Sequence, residues 1–470
     1  MTSQLPTILL ASVVTLGLVV IVHELGHFLF CKMFGIYVKT FSIGMGPKLV
    51  RWRMGETEYV LSAVPFGGYV KMAGEGMMEE IQDTGTWEER KYPLGTLEGN
   101  REAATLDEDI PRDRLFSERP VWQRLLVFIA GPLFNLLLAW VIYTSLFAFE
   151  GLRSDPFTRV GEVRDGTPAA LAGFAVGDSI LAVDGQAVAD WDDVMQGMVP
   201  EASRAGRSTP AVVVAVARGD QRLDLTLAPE FDAERGLWVV GLETWNTTVG
   251  RVQKGGPAEQ VGLQADDVIL SVDGQPVTSF AAIATIINDK PDEAVEVRWR
   301  RGHQVLSGMV TPELKEVEPG RFLGRIFIEP RYSYERLGLG EAADLGWRQT
   351  AATIKGMVTV LGQLVGGDHG LDAVGGPLRI GQAAGEMLRW GVSHLMYFIA
   401  FFSVNLFLLN LMPVPVLDGG HVLFLLLEVV RGGRPVPERL QAIATQMGLI
   451  ILLLFMTFVV VLDVWKVTGH

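Results

Sequence analysis

TILLASVVTLGLVVIVHELGHFLF, residues 7–30, is an unbroken apolar run with two histidines and a glutamate near its C-terminal end. A helix of this length crosses the hydrocarbon core of a bilayer, which takes about 20 residues. Ionisable groups at that depth cost several kcal/mol unless they are used. His23 and His27 stand four residues apart, so on a helix they share one face and can offer ring nitrogens to a single Zn²⁺. Glu24, beside them, is suited to take a proton from water activated by such an ion. A catalytic zinc keeps three protein ligands and one open position, so a third ligand is expected from another span. Asp418, in the stretch NLMPVPVLDGG at 410–420, is the best candidate. Pro413 and Pro415 break the helix there, and exposed backbone at membrane depth is tolerated only where it lines a cavity. Asn410 is a candidate to hold a substrate backbone or a developing oxyanion, with a helix-to-helix hydrogen bond as the alternative. Asn135, in Gly131-Pro132-Leu133-Phe134-Asn135, carries the same two readings.

Composition agrees with a mixed molecule. The chain has 470 residues, 49% hydrophobic and 20% charged, with mean hydropathy +0.28 and net charge −14. That is too apolar for an ordinary soluble protein and too charged for a uniform membrane bundle. The acidic balance argues against nucleic acid as a partner. The single cysteine, Cys31, forbids an intrachain disulfide. Further spans are expected at Leu125–Phe149, Leu395–Leu417 and Met447–Val461, the last extending to Trp465. The first run lacks a basic flank, so it reads as a retained span and not a signal peptide. Lys32, Lys39, Lys48, Arg51, Arg53, Lys71, Arg112, Arg114 and Arg119 follow span one, and Arg431, Arg434 and Arg439 precede span four. The positive-inside rule places both loops in the cytoplasm, and both termini and the long middle segment outside.

The middle segment is duplicated. VGEVRDGTPAALAGFAVGDSILAVDGQAV at 160–188 aligns without a gap on VGRVQKGGPAEQVGLQADDVILSVDGQPV at 249–277. Asp184-Gly185 and Asp273-Gly274 are tight hairpin signals. Alternating stretches at Ala211–Arg218 and Ala294–Arg300 complete two β-rich modules, which resemble a tandem pair of circularly permuted PDZ domains. Such modules bind extended peptides at a sheet edge, or act here as spacers or a size filter. Leu339, Leu345, Ile354, Met357, Leu361, Leu364 and Val365 sit near helical spacing, which predicts an amphipathic helix over 337–365 on the outer membrane surface. The stretch Glu79–Asp113 has mixed charge and no periodicity and reads as a flexible insertion.

These motifs together resemble the intramembrane metalloproteases of the site-2 protease family. The likeness extends to Gly44-Met45-Gly46, Gly67-Gly68-Tyr69-Val70-Lys71-Met72, Val121-Trp122-Gln123-Arg124 and Gly375-Gly376-Pro377. The resemblance implies one Zn²⁺ held by His23, His27 and Asp418, with Glu24 activating water. It implies that Asn410, Gly44, Gly46, Gly67, Gly68 and Tyr69 position substrate, and that Glu58–Met72 forms a membrane-associated β-hairpin offering its edge to an unwound helix. It further implies a bacterial inner-membrane enzyme with periplasmic PDZ domains and an active site toward the cytoplasm. Its substrates would be single-span proteins already trimmed outside, of the anti-sigma-factor type, and remnant signal peptides.

The expected fold is therefore a four-span α-helical membrane protein with a membrane-associated β-sheet and two PDZ domains outside. Its division is 1–35 (first span), 36–78 (β region), 79–120 (cytoplasmic loop and insertion) and 121–150 (second span). Then follow 151–240 and 241–332 (the PDZ pair), 333–390 (amphipathic helical segment), 391–422 (third span), 423–443 (cytoplasmic loop) and 444–466 (fourth span). The rival expectation is a non-catalytic PDZ scaffold with a structural metal, which would need four closed ligands where the sequence offers three. A transporter would show spans of similar, repeated pattern, and these share none.

Overall fold

The structure is a computed structural model that describes residues 5–74, 110–199, 210–232, 237–318, 321–366 and 376–467. Most of the acidic and polar insertion expected at 79–113 lies outside them. The chain divides into two compact units, Met1–Phe149 with Gly338–His470, and Glu150–Leu337.

Among the described residues the first unit contains four helices long and apolar enough to cross a membrane: Leu5–Met33, Val121–Glu150, Val392–Leu411 and, within Glu438–Val467, the stretch Arg439–Val461. Three of them run past the limits set by hydropathy because helices continue beyond the hydrocarbon. The third is shorter at its end. It stops at Leu411, not Leu417, because Pro413 forces Met412 into an extended conformation (φ −64°, ψ 143°). The chain then doubles back, and a new helix begins at Asp418 and runs to Val430, occupying part of the segment expected as a loop. Glycine is required at this reversal. A Cβ on Gly419 would lie 2.5 Å from the Leu411 carbonyl carbon, and one on Gly420 would lie 2.5 Å from the Pro415 Cα.

Between spans one and two the backbone folds as β1 (Val38–Met54) and β2 (Thr57–Met72). The register makes this four segments, since Thr40 pairs with both Glu58 and Lys71 and Phe41 with both Tyr59 and Val70. The segment order is 48–54, 57–62, 38–43, 68–72, so the hairpin read from Glu58–Met72 has another strand running through its middle. Glycines at positive φ, Gly44 (86°), Gly46 (83°) and Gly67 (98°), let the long strands bend. One edge, 48–54, is exposed and apolar at Leu49, Val50, Trp52 and Met54.

The amphipathic helix, Leu339–Gly366, lies against span two. Trp140 Nε1 donates to the Ala343 carbonyl (3.0 Å), and Gly346 seats on Thr144. A following helix, Pro377–Trp390, crosses span one through Gly381 and Gly385, which approach Ser12 and Ile8. Small residues four apart permit that close crossing.

The second unit holds the duplication as two sheets of identical order. In the first, Gln186–Ala187, Ser179–Val183, Val212–Arg218 and Gln221–Leu227 lie side by side; in the second, Gln275–Pro276, Val268–Val272, Val295–Arg301 and Gln304–Val310 do. Asp184-Gly185 and Asp273-Gly274 are both at positive φ, as a tight hairpin demands. Each copy is closed by a strand from its own C-terminal end. Leu242–Thr244 pairs with Val160–Val163, and Ile328–Pro330 with Val249–Val252. The first module therefore extends past residue 240. Both cores are mainly aliphatic, built around Ile180, Val214 and Leu227 in one copy and Ile269, Val297 and Leu263 in the other, with Phe174 and Trp299 also buried in them. Buried Asp178 and Asp267 take matching ion pairs from Arg218 and Arg301, each 2.7 Å. For Asp178, burial raises the carboxyl pKa, but the bonds from Arg218 and the Ala175 amide outweigh it and hold the group below its usual range.

Candidate metal centre

The first span delivers His23 and His27 to one face, both buried, and the helix that starts at Asp418 brings a carboxylate to them. Asp418 Oδ2 lies 3.1 Å from His23 Nε2, and Oδ1 lies 3.5 Å from His27 Nε2. The two Nε2 atoms are 3.2 Å apart. With one ligand atom from each residue, the three groups fall within 4.8 Å, and among the described residues this is the one His/Cys/Asp/Glu group able to hold a metal. Separations near 3.2 Å are those between ligands of one small tetrahedral cation, about 3.3 Å for bonds of about 2.0–2.1 Å. The donor atoms also need such a partner. Asp418 Oδ2 is buried without a hydrogen-bond donor, and two imidazole lone pairs facing each other repel unless a positive centre lies between them. The residues fit a zinc ion.

Their far sides are held by span two. His27 Nδ1 donates to the Val127 carbonyl (2.8 Å), which leaves Nε2 free to ligate. The Asn135 amide lies 3.0 Å from His23 Nδ1. Between them, Gly131 gives the rings their space. A Cβ there would sit 2.8 Å from His23 Cε1 and 2.6 Å from His27 Cε1.

Glu24 follows His23 on the helix and meets the edge segment 68–72. A Cβ on Gly68 would lie 3.0 Å from Glu24 Cγ and 2.9 Å from the Ser42 carbonyl oxygen. A candidate base, a three-donor cluster and a strand edge thus converge.

The other sequence candidates divide. The Asn410 amide nitrogen comes within 3.4 Å of His23 Nε2, so it joins the cluster. Gly68 touches Glu24. Gly44, Gly46 and Gly67 instead neighbour Val64 and Met45 and shape the sheet, while Tyr69 pairs with Ser42 within it. Apart from those candidates, His421, on the helix that starts at Asp418, stacks on Phe128 (4.7 Å between ring centres, 11° between planes). The sequence gives no sign of Val127 or Gly131 beside the histidines, and of the two readings of Asn135 the contact with His23 matches the helix-to-helix hydrogen bond. The Gly-Pro-x-x-Asn pattern was visible, but its partners are set by tertiary contact.

The chain is similar to known metalloproteases along most of its length. A family model described as Peptidase family M50 matches residues 11–455. Regulator of sigma-E protease RseP of Escherichia coli strain K12 is 34% identical, across 94% of this chain and 95% of its own. A Neisseria meningitidis protein named "Putative zinc metalloprotease" is 32% identical, across 98% and 99%. A solved PDZ domain of an SdrC-like protein from Listeria monocytogenes aligns with 18% of this chain and 87% of its own, at 22% identity and TM-score 0.16.

Proposed function

The chain belongs to peptidase family M50, the site-2 proteases, and on that premise we propose that it is a zinc endopeptidase cleaving transmembrane segments within the membrane. The observation that carries this is the convergence of His23, His27 and Asp418 with Glu24 beside them, on helices of membrane-spanning length. His23, His27 and Asp418 hold the ion. When bound, zinc supplies a Lewis acid that polarises the scissile carbonyl and makes water a better nucleophile at neutral pH. Glu24 takes the proton from the attacking water and passes it to the leaving amine. Asn410 donates its amide N–H to the carbonyl oxygen as charge develops there.

A helical substrate hides its amides in its own hydrogen bonds and must be extended before attack. The segment 68–72, paired on one side with 38–43, offers its other edge beside Glu24 for such a strand. The RseP relatives are named as regulators of sigma E, which supports a role in regulated intramembrane proteolysis of an envelope stress response. Substrates of the anti-sigma-factor type, already trimmed outside, and remnant signal peptides fit a site that admits one extended segment. The basic residues flanking the spans support an inner-membrane orientation with the Lys32 end in the cytoplasm and the PDZ pair in the periplasm, where it screens or captures incoming chains.

Removing zinc from the purified protein with a chelator should abolish cleavage of a single-span test substrate, and added Zn²⁺ should restore it. Undiminished cleavage by the metal-free protein would contradict the proposal.

A further inference from the structure

We propose that span two acts as the template that sets both zinc-binding histidines in the ligating tautomer, with Asn135 as the positioning residue for His23. The inference rests on the zinc reading above. Val127, Gly131 and Asn135 are spaced by four, so they form one stripe along the helix. The middle position clears space for both rings, and the outer two grip their far nitrogens. At His27 the bond is settled by chemistry, because a backbone carbonyl only accepts, so Nδ1 carries the proton and Nε2 the lone pair.

The same logic fixes Asn135. The contacts of His23 with His27 and Asp418 converge on its Nε2, so that nitrogen must present a lone pair and Nδ1 must carry the hydrogen. The partner of Nδ1 must then be an acceptor. The amide nitrogen lies toward Nδ1, while its carbonyl Oδ1 is buried and has no hydrogen-bond partner. Amide nitrogen and oxygen exchange by a half-turn of the side chain. With zinc-ready His23, Oδ1 faces Nδ1–H and accepts its proton. Asn135 is fully buried, and its backbone carbonyl accepts from Ser403 Oγ of span three at 2.8 Å, which ties the residue's main chain to span three while its side chain faces span one.

The test measures zinc affinity by chelator competition, and the absorption bands of the Co²⁺-substituted protein, for wild type, Asn135→Leu and Asn135→Asp in detergent. Leucine has similar volume and no acceptor, and should weaken zinc binding by about 10–100-fold and shift the cobalt bands. Aspartate keeps an oxygen toward Nδ1 and should stay close to wild type in both. If leucine prevents folding, Asn135→Ala takes its place in the comparison. Wild-type affinity and spectrum in the leucine or alanine variant overturn the inference, as does a folded aspartate variant as weak as they are. A wild-type protein that binds no zinc sinks the metal reading itself and this inference with it.

Discussion

Gly68 shows how closely a single residue is tied to the chemistry. Its φ is not in the left-handed region, so the need for glycine there is spatial: a methyl would press on Glu24 Cγ and the Ser42 carbonyl. Displacing a catalytic group by about 1 Å costs on the order of 100-fold in rate. Gly68→Ala should therefore lower kcat by about that factor while zinc content is unchanged, because none of the three metal ligands touches residue 68. Steady-state kinetics beside metal analysis checks this, and an unaltered kcat would mean that the edge segment does not brace the base. At this scale the sequence was most informative where chemistry is local. His23, Glu24 and His27 follow from spacing inside one helix. Asp418 follows from the third ligand that a catalytic zinc requires. For Asn135 a helix-to-helix hydrogen bond is one of the two readings the sequence offers, but its partner is not legible, since that is a histidine 112 residues away.

Among elements, the decisive joint is between span two and the helix that carries Asp418. Arg124, in the first turn of span two, bonds Glu428 near the end of that helix at 2.6 Å, and both side chains are mostly buried (15% and 9% exposed). Removing one partner leaves the other charge buried and uncompensated, which costs about 3–5 kcal/mol. Glu428→Ala should lower the thermal unfolding temperature in detergent, and Arg124→Leu combined with Glu428→Leu should recover much of the loss. Equal stability of Glu428→Ala and wild type would remove this joint from the account. The spans themselves are visible as apolar runs, but the third ends at Leu411, six residues before its apolar run does. Hydropathy continues through Met412–Leu417, whereas the prolines end the helix there. The sheet was only half visible for a related reason. A hairpin around Pro65–Gly68 is local, but insertion of segment 38–43 between its arms is a non-local pairing that turn signals do not encode.

For the molecule as a whole, the mean hydropathy of +0.28 averages two materials, a unit of membrane-length helices and a unit of two duplicated β-rich modules. The repeat exposes the second unit because an offset of 89 residues, free of gaps across 160–188 and 249–277, keeps the first turns and strands of the two copies in phase. The central claim concerns the first unit: a metal cluster and a base act together inside the membrane. It is tested most directly by measuring zinc content and cleavage of a single-span substrate with purified Glu24→Gln. The account predicts zinc equal to wild type and cleavage lower by about 10²–10⁴-fold. Cleavage at the wild-type rate by that variant would contradict it.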